Sequence, residues 1–284
     1  MKLRRTLFCL FALPLVLSAK TSVWKVSSGD NSVYLGGTCH ILRPQDFPLP
    51  EAYEQAYEAA DSLTFEVDPA KLQSPEFSMQ LMAASRYQDG RTLKDVLNTE
   101  AYSALSKHAG ENGIPMVVLD SIKPGMVVTM LTIQELMKLG VTQEGVDLFY
   151  AKKSAEAQKP IGSLETAEFQ IQLLTSLGEG LEDEMVLYSL QDLDQIESLY
   201  QEMIRAWREG DLEGLEKLFV TDMQEYPSIY DALLKDRNLN WLGQIKTMLS
   251  DADTEYVLVG VAHMVGPDGL IHLLEDAGYR VEQL

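Results

Sequence analysis

Apolar and polar residues alternate in two short stretches near the start of the chain, SVWKVSS at 22–28 and SVYLGG at 32–37. The triplet GDN lies between them, so the period of two predicts a β-hairpin. PEAYEQAYEAADSL, residues 50–63, then takes helical spacing, with Pro50 and Glu51 suited to a first turn. LTFEVDP, 63–69, predicts a short strand stopped by Pro69. Its alternation puts Leu63, Phe65 and Val67 on one face and Thr64, Glu66 and Asp68 on the other. From there to about residue 250 the spacing is mostly helical. RTLKDVLNTEAYSALSKHAGENG predicts helix, turn and helix, with Gly110 near the stop. KPGMVVTMLTIQELMKLG predicts an apolar helix whose methionines belong to core packing rather than to a recognition surface. KPIGSLET, 159–166, looks like a short buried strand before a helix that starts at Glu165 or Thr166. An acidic amphipathic run follows over 182–249, broken at REGD and EYPS, its charges forming solvated helix faces. A strand (EYVLVG), a helix (DGLIHLLEDAG) and a final strand (YRVEQL) close the chain.

Strands therefore gather at the two ends and helices fill the middle. The pattern predicts an α/β fold in which a mixed β-sheet core is built from both termini, with a large, mostly helical insert at roughly 70–250. No low-complexity linker, and no repeated unit beyond one doubled motif, interrupts residues 20–284, which are expected to form one unit.

The first residues change the expected location. Lys2, Arg4 and Arg5 precede a short apolar run, Leu7 to Leu17, then the small residues Ser18 and Ala19. This is the layout of a signal peptide over 1–19, too short to span a bilayer. The mature protein is expected to be exported, periplasmic or secreted, without stable membrane insertion. Cleavage removes three positive charges from a chain whose net charge is already −20. So acidic a surface argues against nucleic acid and anionic lipid as partners. Of the two cysteines only Cys39 survives cleavage, so no internal disulfide can form. Nothing in the pattern sets the oligomeric state.

The candidate chemistry lies in a doubled motif. YLGGTCHILRP at 34–44 and VLVGVAHMVGP at 257–267 each run from apolar residues into Gly-x-x-His and then a proline. Three of the four histidines carry glycine at minus three, but only at His40 and His263 does that glycine follow an apolar β run; His272 lies in a helical stretch. Glycine lets a strand exit in a conformation closed to other residues, or lets another group come close. His40 and His263 then sit just past the strand ends, the rim where α/β sheets bind ligands. Glu66 is the matching carboxylate, since an acid in a core strand is costly without a partner. Two imidazoles and a carboxylate form a common ligand set for a catalytic metal with an open position. Alternatively, Glu66 is the general base and the metal takes its other ligands elsewhere.

These motifs, with FEVD at 65–68 and the ending GVAHMVGPDGLIHLLEDAGYRV, closely resemble the TraB/GumN family from about residue 23 to the C-terminus. Further landmarks are Lys123–Pro124, Gly145 to Asp147, Leu164 to Thr166 with Gln170, and Arg237–Asn238. That family includes the TIKI metalloproteases, and its core is similar to that of erythromycin-esterase and ChaN-like proteins. The resemblance implies metal-dependent hydrolysis, of a peptide or protein substrate, at His40, His263 and Glu66. The implied ion is divalent, of the manganese, cobalt or zinc kind. A second class of function also uses such a cleft: a non-catalytic protein that holds metal, haem or peptide.

Other residues divide between chemistry and structure. Glu165 is either a catalytic-site group or part of a helix cap with Ser163 as N-cap. Arg237 either meets a substrate carboxylate or oxyanion, or forms a structural ion pair. Asn238 or Asn240 suits the cap of the helix holding Trp241. Cys39, next to His40 but pointing away from it, reads as a small buried residue. His108 and His272 read as ordinary surface or capping residues.

Overall fold

The computed structural model describes residues 20–284. The expected signal peptide lies outside these residues. Six strands form one mixed sheet: β1 Val23–Ser28, β2 Asn31–Thr38, β3 Ser62–Phe65, β4 Ile161–Ser163, β5 Glu255–Gly260 and β6 Arg280–Gln283, in the order β4-β3-β5-β2-β1-β6. β1 pairs antiparallel with β2 through the expected hairpin, whose Gly29 has a positive φ, and with β6 on its other edge. β2, β5, β3 and β4 run parallel. This is the α/β fold read from the pattern, with one addition: β4, from the middle of the helical stretch, completes the sheet. It is an edge strand, half-buried to exposed, and not the buried strand expected there.

The inner parallel strands β3 and β5 are covered on both faces, so the two-faced reading of LTFEVDP does not hold. Leu63, Thr64, Phe65, Glu66 and Val67 are all buried. The strand also ends at Phe65, which leaves Glu66 just beyond it. Asp68 then caps a short helix, Pro69–Leu72, by accepting a hydrogen bond from the Ala70 N–H.

The helices carry a second core of their own. Leu93, Ala101 and Leu105 pack with Ile122, Val127, Leu131 and Val186, away from the sheet. In the helix Pro124–Lys138 the methionines divide: Met126 is buried, while Met130 and Met137 are exposed along with Ile133. Core packing therefore accounts for only one side of that helix. The acidic run breaks where expected, at Gly210, a left-handed stop after the helix Ile196–Glu209, and before Pro227. Among the described residues no helix is long and apolar enough to cross a membrane.

Candidate active site

Four parallel strands each deliver one group to the same rim. β2 leads to His40, β5 to His263, β3 to Glu66 and β4 to Glu165. Thr38 pairs with Gly260, so the two histidine-bearing exits lie side by side. The motif glycines do not serve as left-handed hinges, since neither Gly37 nor Gly260 has a positive φ. Close approach is their reason. A Cβ on Gly37 would meet Val261 Cγ2 at 2.7 Å. A Cβ on Gly260 would stand 3.3 Å from both Glu66 Oε1 and His40 Nε2, in the space these groups surround.

His40 is the exposed member, with 60% of its side chain open to solvent. Its Nδ1–H donates to Asp147 Oδ2 at 2.9 Å, and the Thr38 hydroxyl donates to the other Asp147 oxygen at 3.1 Å. Asp147 comes from the first turn of the helix Val146–Ala157. That helix can start there because Gly145 lies against the backbone of His40, leaving no room for a Cβ. The surrounding protein desolvates the His40 ring and lowers its pKa, but the Asp147 carboxylate outweighs this and draws it up to about 9.

His263 lies in a single 3-10 turn, Val261–Met264, and is buried. Its Nδ1–H donates to Asn238 Oδ1 at 2.7 Å, which leaves the Nε2 lone pair facing the centre. Burial, with the charges of Arg237 and His40 adding to it against the pull of Glu66, takes the His263 pKa down to about 3. The ring is neutral. Asn238 sits inside the helix Asp236–Met248, and its amide donates to the carbonyls of His263 and Asp268. It does not cap that helix, and neither does Asn240.

Both imidazole Nε2 atoms stand 3.9 Å from a single oxygen, Glu66 Oε1. That oxygen also accepts the Gly260 N–H at 2.7 Å, while Oε2 accepts Arg237 Nη2 at 2.5 Å and the Gln170 amide at 3.3 Å. Burial raises the Glu66 pKa, but Arg237, the two histidines and the Gly260 N–H outweigh it and hold it down to about 2.

Arg237 is buried at 7% exposure, and each of its five N–H groups has an acceptor. Nε and Nη2 donate to the two oxygens of Glu165 at 3.1 and 2.7 Å. Nη2 also donates to Glu66, and Nη1 to His263 Nε2 at 2.9 Å and the Leu233 carbonyl at 3.1 Å. The guanidinium stacks 4.6 Å from the Trp241 ring centre. Glu165 is therefore an ion-pair partner and not part of a cap. Thr166 caps the helix Ala167–Ser176 by accepting the Phe169 N–H, and the Ser163 hydroxyl instead accepts the Asp68 N–H.

The donor chemistry suits a divalent ion: two neutral-capable imidazole nitrogens, each with its other nitrogen fixed by an acceptor, and one carboxylate oxygen. The three surround the space that a Cβ on Gly260 would fill. Their arrangement is open, since Arg237 already engages the His263 lone pair. Among the described residues no group of three or more His, Cys, Asp or Glu is gathered as a ready metal site.

Cys39 is buried as expected, and burial pushes its thiol up, away from thiolate chemistry. His108 is half-buried beside Asn112, and His272 is exposed on its helix; both lie outside the centre. Sequence reasoning did not single out Asp147, Asn238 or Gln170 as site groups. Their one signal was membership of short landmarks near Gly145, Leu164 and Arg237. The cleft above the centre has a volume of about 500 Å³ and is walled by Val67, Leu72, Leu148, Leu173, Leu174 and Leu233. Gln73, Gln143 and Gln170 also line it.

Two curated proteins are similar along most of their length: uncharacterized protein YbaP of Escherichia coli (strain K12) and that of Shigella flexneri. Each is 24% identical over 250 residues, covering 87% of this chain and 89% of the relative. No solved structure matches significantly. The model of one family matches residues 22–283, nearly the whole of the described chain, and this protein belongs to that family, TraB/PrgY/gumN.

Proposed function

We propose that this protein is an exported hydrolase that cleaves amide bonds in neutral, apolar stretches of peptide, at a centre formed by His40, His263 and Glu66. One observation carries the reading: two imidazole nitrogens from separate strand ends converge at 3.9 Å on one buried carboxylate oxygen, at the foot of a cleft. Ordinary structural histidines have no need of that convergence. His40, His263 and Glu66 would hold the divalent ion, of the manganese, cobalt or zinc kind. Such an ion supplies a Lewis acid that polarises a carbonyl and makes water a nucleophile near neutral pH.

The chain's own groups do the rest. Asp147 fixes the His40 tautomer and Asn238 that of His263, so each ring presents Nε2 inward. Both Glu66 oxygens already accept hydrogen bonds, which suits a ligand held in place better than a base that must collect a proton. The wall supports the substrate class. Leucines offer apolar contact, and the glutamine amides can both donate to and accept from a peptide backbone. Among the described residues, the cationic side chains on the wall are Arg237 and His40, both already paired, so away from the ion the wall offers an acidic side chain no free counter-charge.

A digest of a peptide library by the purified mature protein, with added Mn²⁺, Co²⁺ or Zn²⁺ and with chelator, tests the proposal. The expected result is cleavage flanked by apolar residues that stops with chelator. Peptide bound without turnover under every condition would replace the enzyme with a peptide-binding protein.

A further inference from the structure

We infer that Arg237 is a gate on this centre: its guanidinium takes the place of a divalent ion at His263 and Glu66, and an ion enters only as Arg237 releases His263. The inference rests on the reading of the centre given above and adds control of ion entry by a residue that is not a ligand.

The geometry makes the two states exclusive. Asn238 holds the His263 proton on Nδ1, so Nε2 has a single lone pair, and Arg237 Nη1 takes it at 2.9 Å. One lone pair cannot serve a guanidinium N–H and a metal ion together. Arg237 also pairs with Glu66 Oε2, the second oxygen of the carboxylate that both imidazoles face. An ion arriving beside a buried guanidinium meets like charge where solvent screens it poorly.

Arg237 is also anchored for release. Glu165 grips Nε and Nη2, and the Trp241 face lies beneath. A swing about the Glu165 pair frees His263 while the buried cation keeps a counter-ion, so opening requires no bare charge. Glu165, outside the three donors, thereby gains a role as the gate's hinge.

The test uses Zn²⁺ alone, with affinity measured by competition against a chromophoric chelator for the wild type and Arg237→Gln. The expected result is affinity about 10- to 100-fold tighter in the variant, a change of one to two decades in Kd. A damaged centre loses affinity, so a gain separates gating from a merely structural role. Arg237→Gln strips two buried carboxylates of their cation and puts folding at risk, so the wild type supplies a second arm. In ¹⁵N-labelled wild-type protein, the Arg237 Nε–H and the His263 ring nitrogens should shift with one midpoint during Zn²⁺ titration. A His263 shift with Arg237 unmoved overturns the gate. Equal or weaker zinc affinity in a folded variant also overturns it, while leaving the hydrolase proposal to its own assay. Zinc bound by neither protein overturns both the gate and the ion in that proposal.

Discussion

Replacing Glu66 by glutamine tests the centre through two independent readouts. The substitution keeps the shape but turns one carboxylate oxygen into an NH₂ group. Oε1 accepts the Gly260 N–H at 2.7 Å and Oε2 accepts Arg237 at 2.5 Å, so both oxygens face donors. Whichever way the amide turns, a donor meets a donor in a site only 7% exposed. Breaking a buried ion pair outright costs roughly 3–5 kcal/mol. Here Arg237 keeps the bidentate Glu165, so the loss is closer to one charge-assisted hydrogen bond, about 2–3 kcal/mol. For a chain of this size that corresponds to a fall in Tm of roughly 4–12 °C. Urea unfolding and calorimetry of the ion-free proteins, in chelator, measure it. Turnover divides the two roles of Glu66. As a ligand it takes ion affinity and rate down together; as a base it leaves the ion bound while the rate falls by about two to four orders of magnitude. A stability loss under about 0.5 kcal/mol would refute the pairing described for Arg237, because surface-like sites alone behave that way.

Further expectations follow from other parts of the molecule. His40→Ala and His263→Ala should each abolish tight zinc binding, whereas His108→Ala and His272→Ala should match wild type in equilibrium dialysis; equal zinc content in all four would remove the doubled motif from the chemistry. Asp147→Ala and Asn238→Ala touch no ion but release an imidazole, and should weaken zinc by about 10- to 100-fold; unchanged affinity would refute their orienting role. Burial, with Asp251, Asp253 and Asp61 nearby, raises the Glu255 pKa from 4.5 to about 7. The folded state then holds a proton that the unfolded chain gives up, so stability is lost as pH climbs from about 4.5 to 7. Discounted for partial exposure, Glu255→Gln should gain about 1 kcal/mol at pH 8 and nothing at pH 4 in urea titrations; no gain at pH 8 would contradict the shift. Exported protein should begin at Lys20, and N-terminal sequencing that returns Met1 would refute the leader.

The sheet and the two histidines were legible because they rest on local signals: alternation, a Gly-Asp turn, and a motif that repeats. Glu66 was legible as a carboxylate in an apolar setting. Its surroundings were not, because they depend on pairings across the chain. Arg237 and Glu165 look alike as surface charges or as buried partners until a fold brings them within 2.7 Å. Asp147 and Asn238 carry no periodic signal, since each works from the first turn of a helix aimed by packing elsewhere. Ser163 made a reasonable cap by spacing, but Thr166, one residue before the helix, held the better geometry. The burial of both sheet faces hid the side on which Glu66 lies, because alternation has no meaning once both faces are covered.

β2 and β5 are neighbours in the sheet yet stand at opposite ends of the chain, and the Gly260 N–H that holds Glu66 comes from 194 residues away. A polypeptide emerging in order, N-terminus first, therefore carries His40, Glu66 and Asp147 long before it carries His263. During synthesis and any passage in an unfolded state the centre has no second imidazole and no scaffold for the first. Contacts of such long range also form slowly. The candidate centre is assembled only once β5 is in place: loss of residues 255–284 by nonsense mutation or clipping removes β5 and His263 together, and under the proposed reading leaves an inert remnant rather than a weakened one.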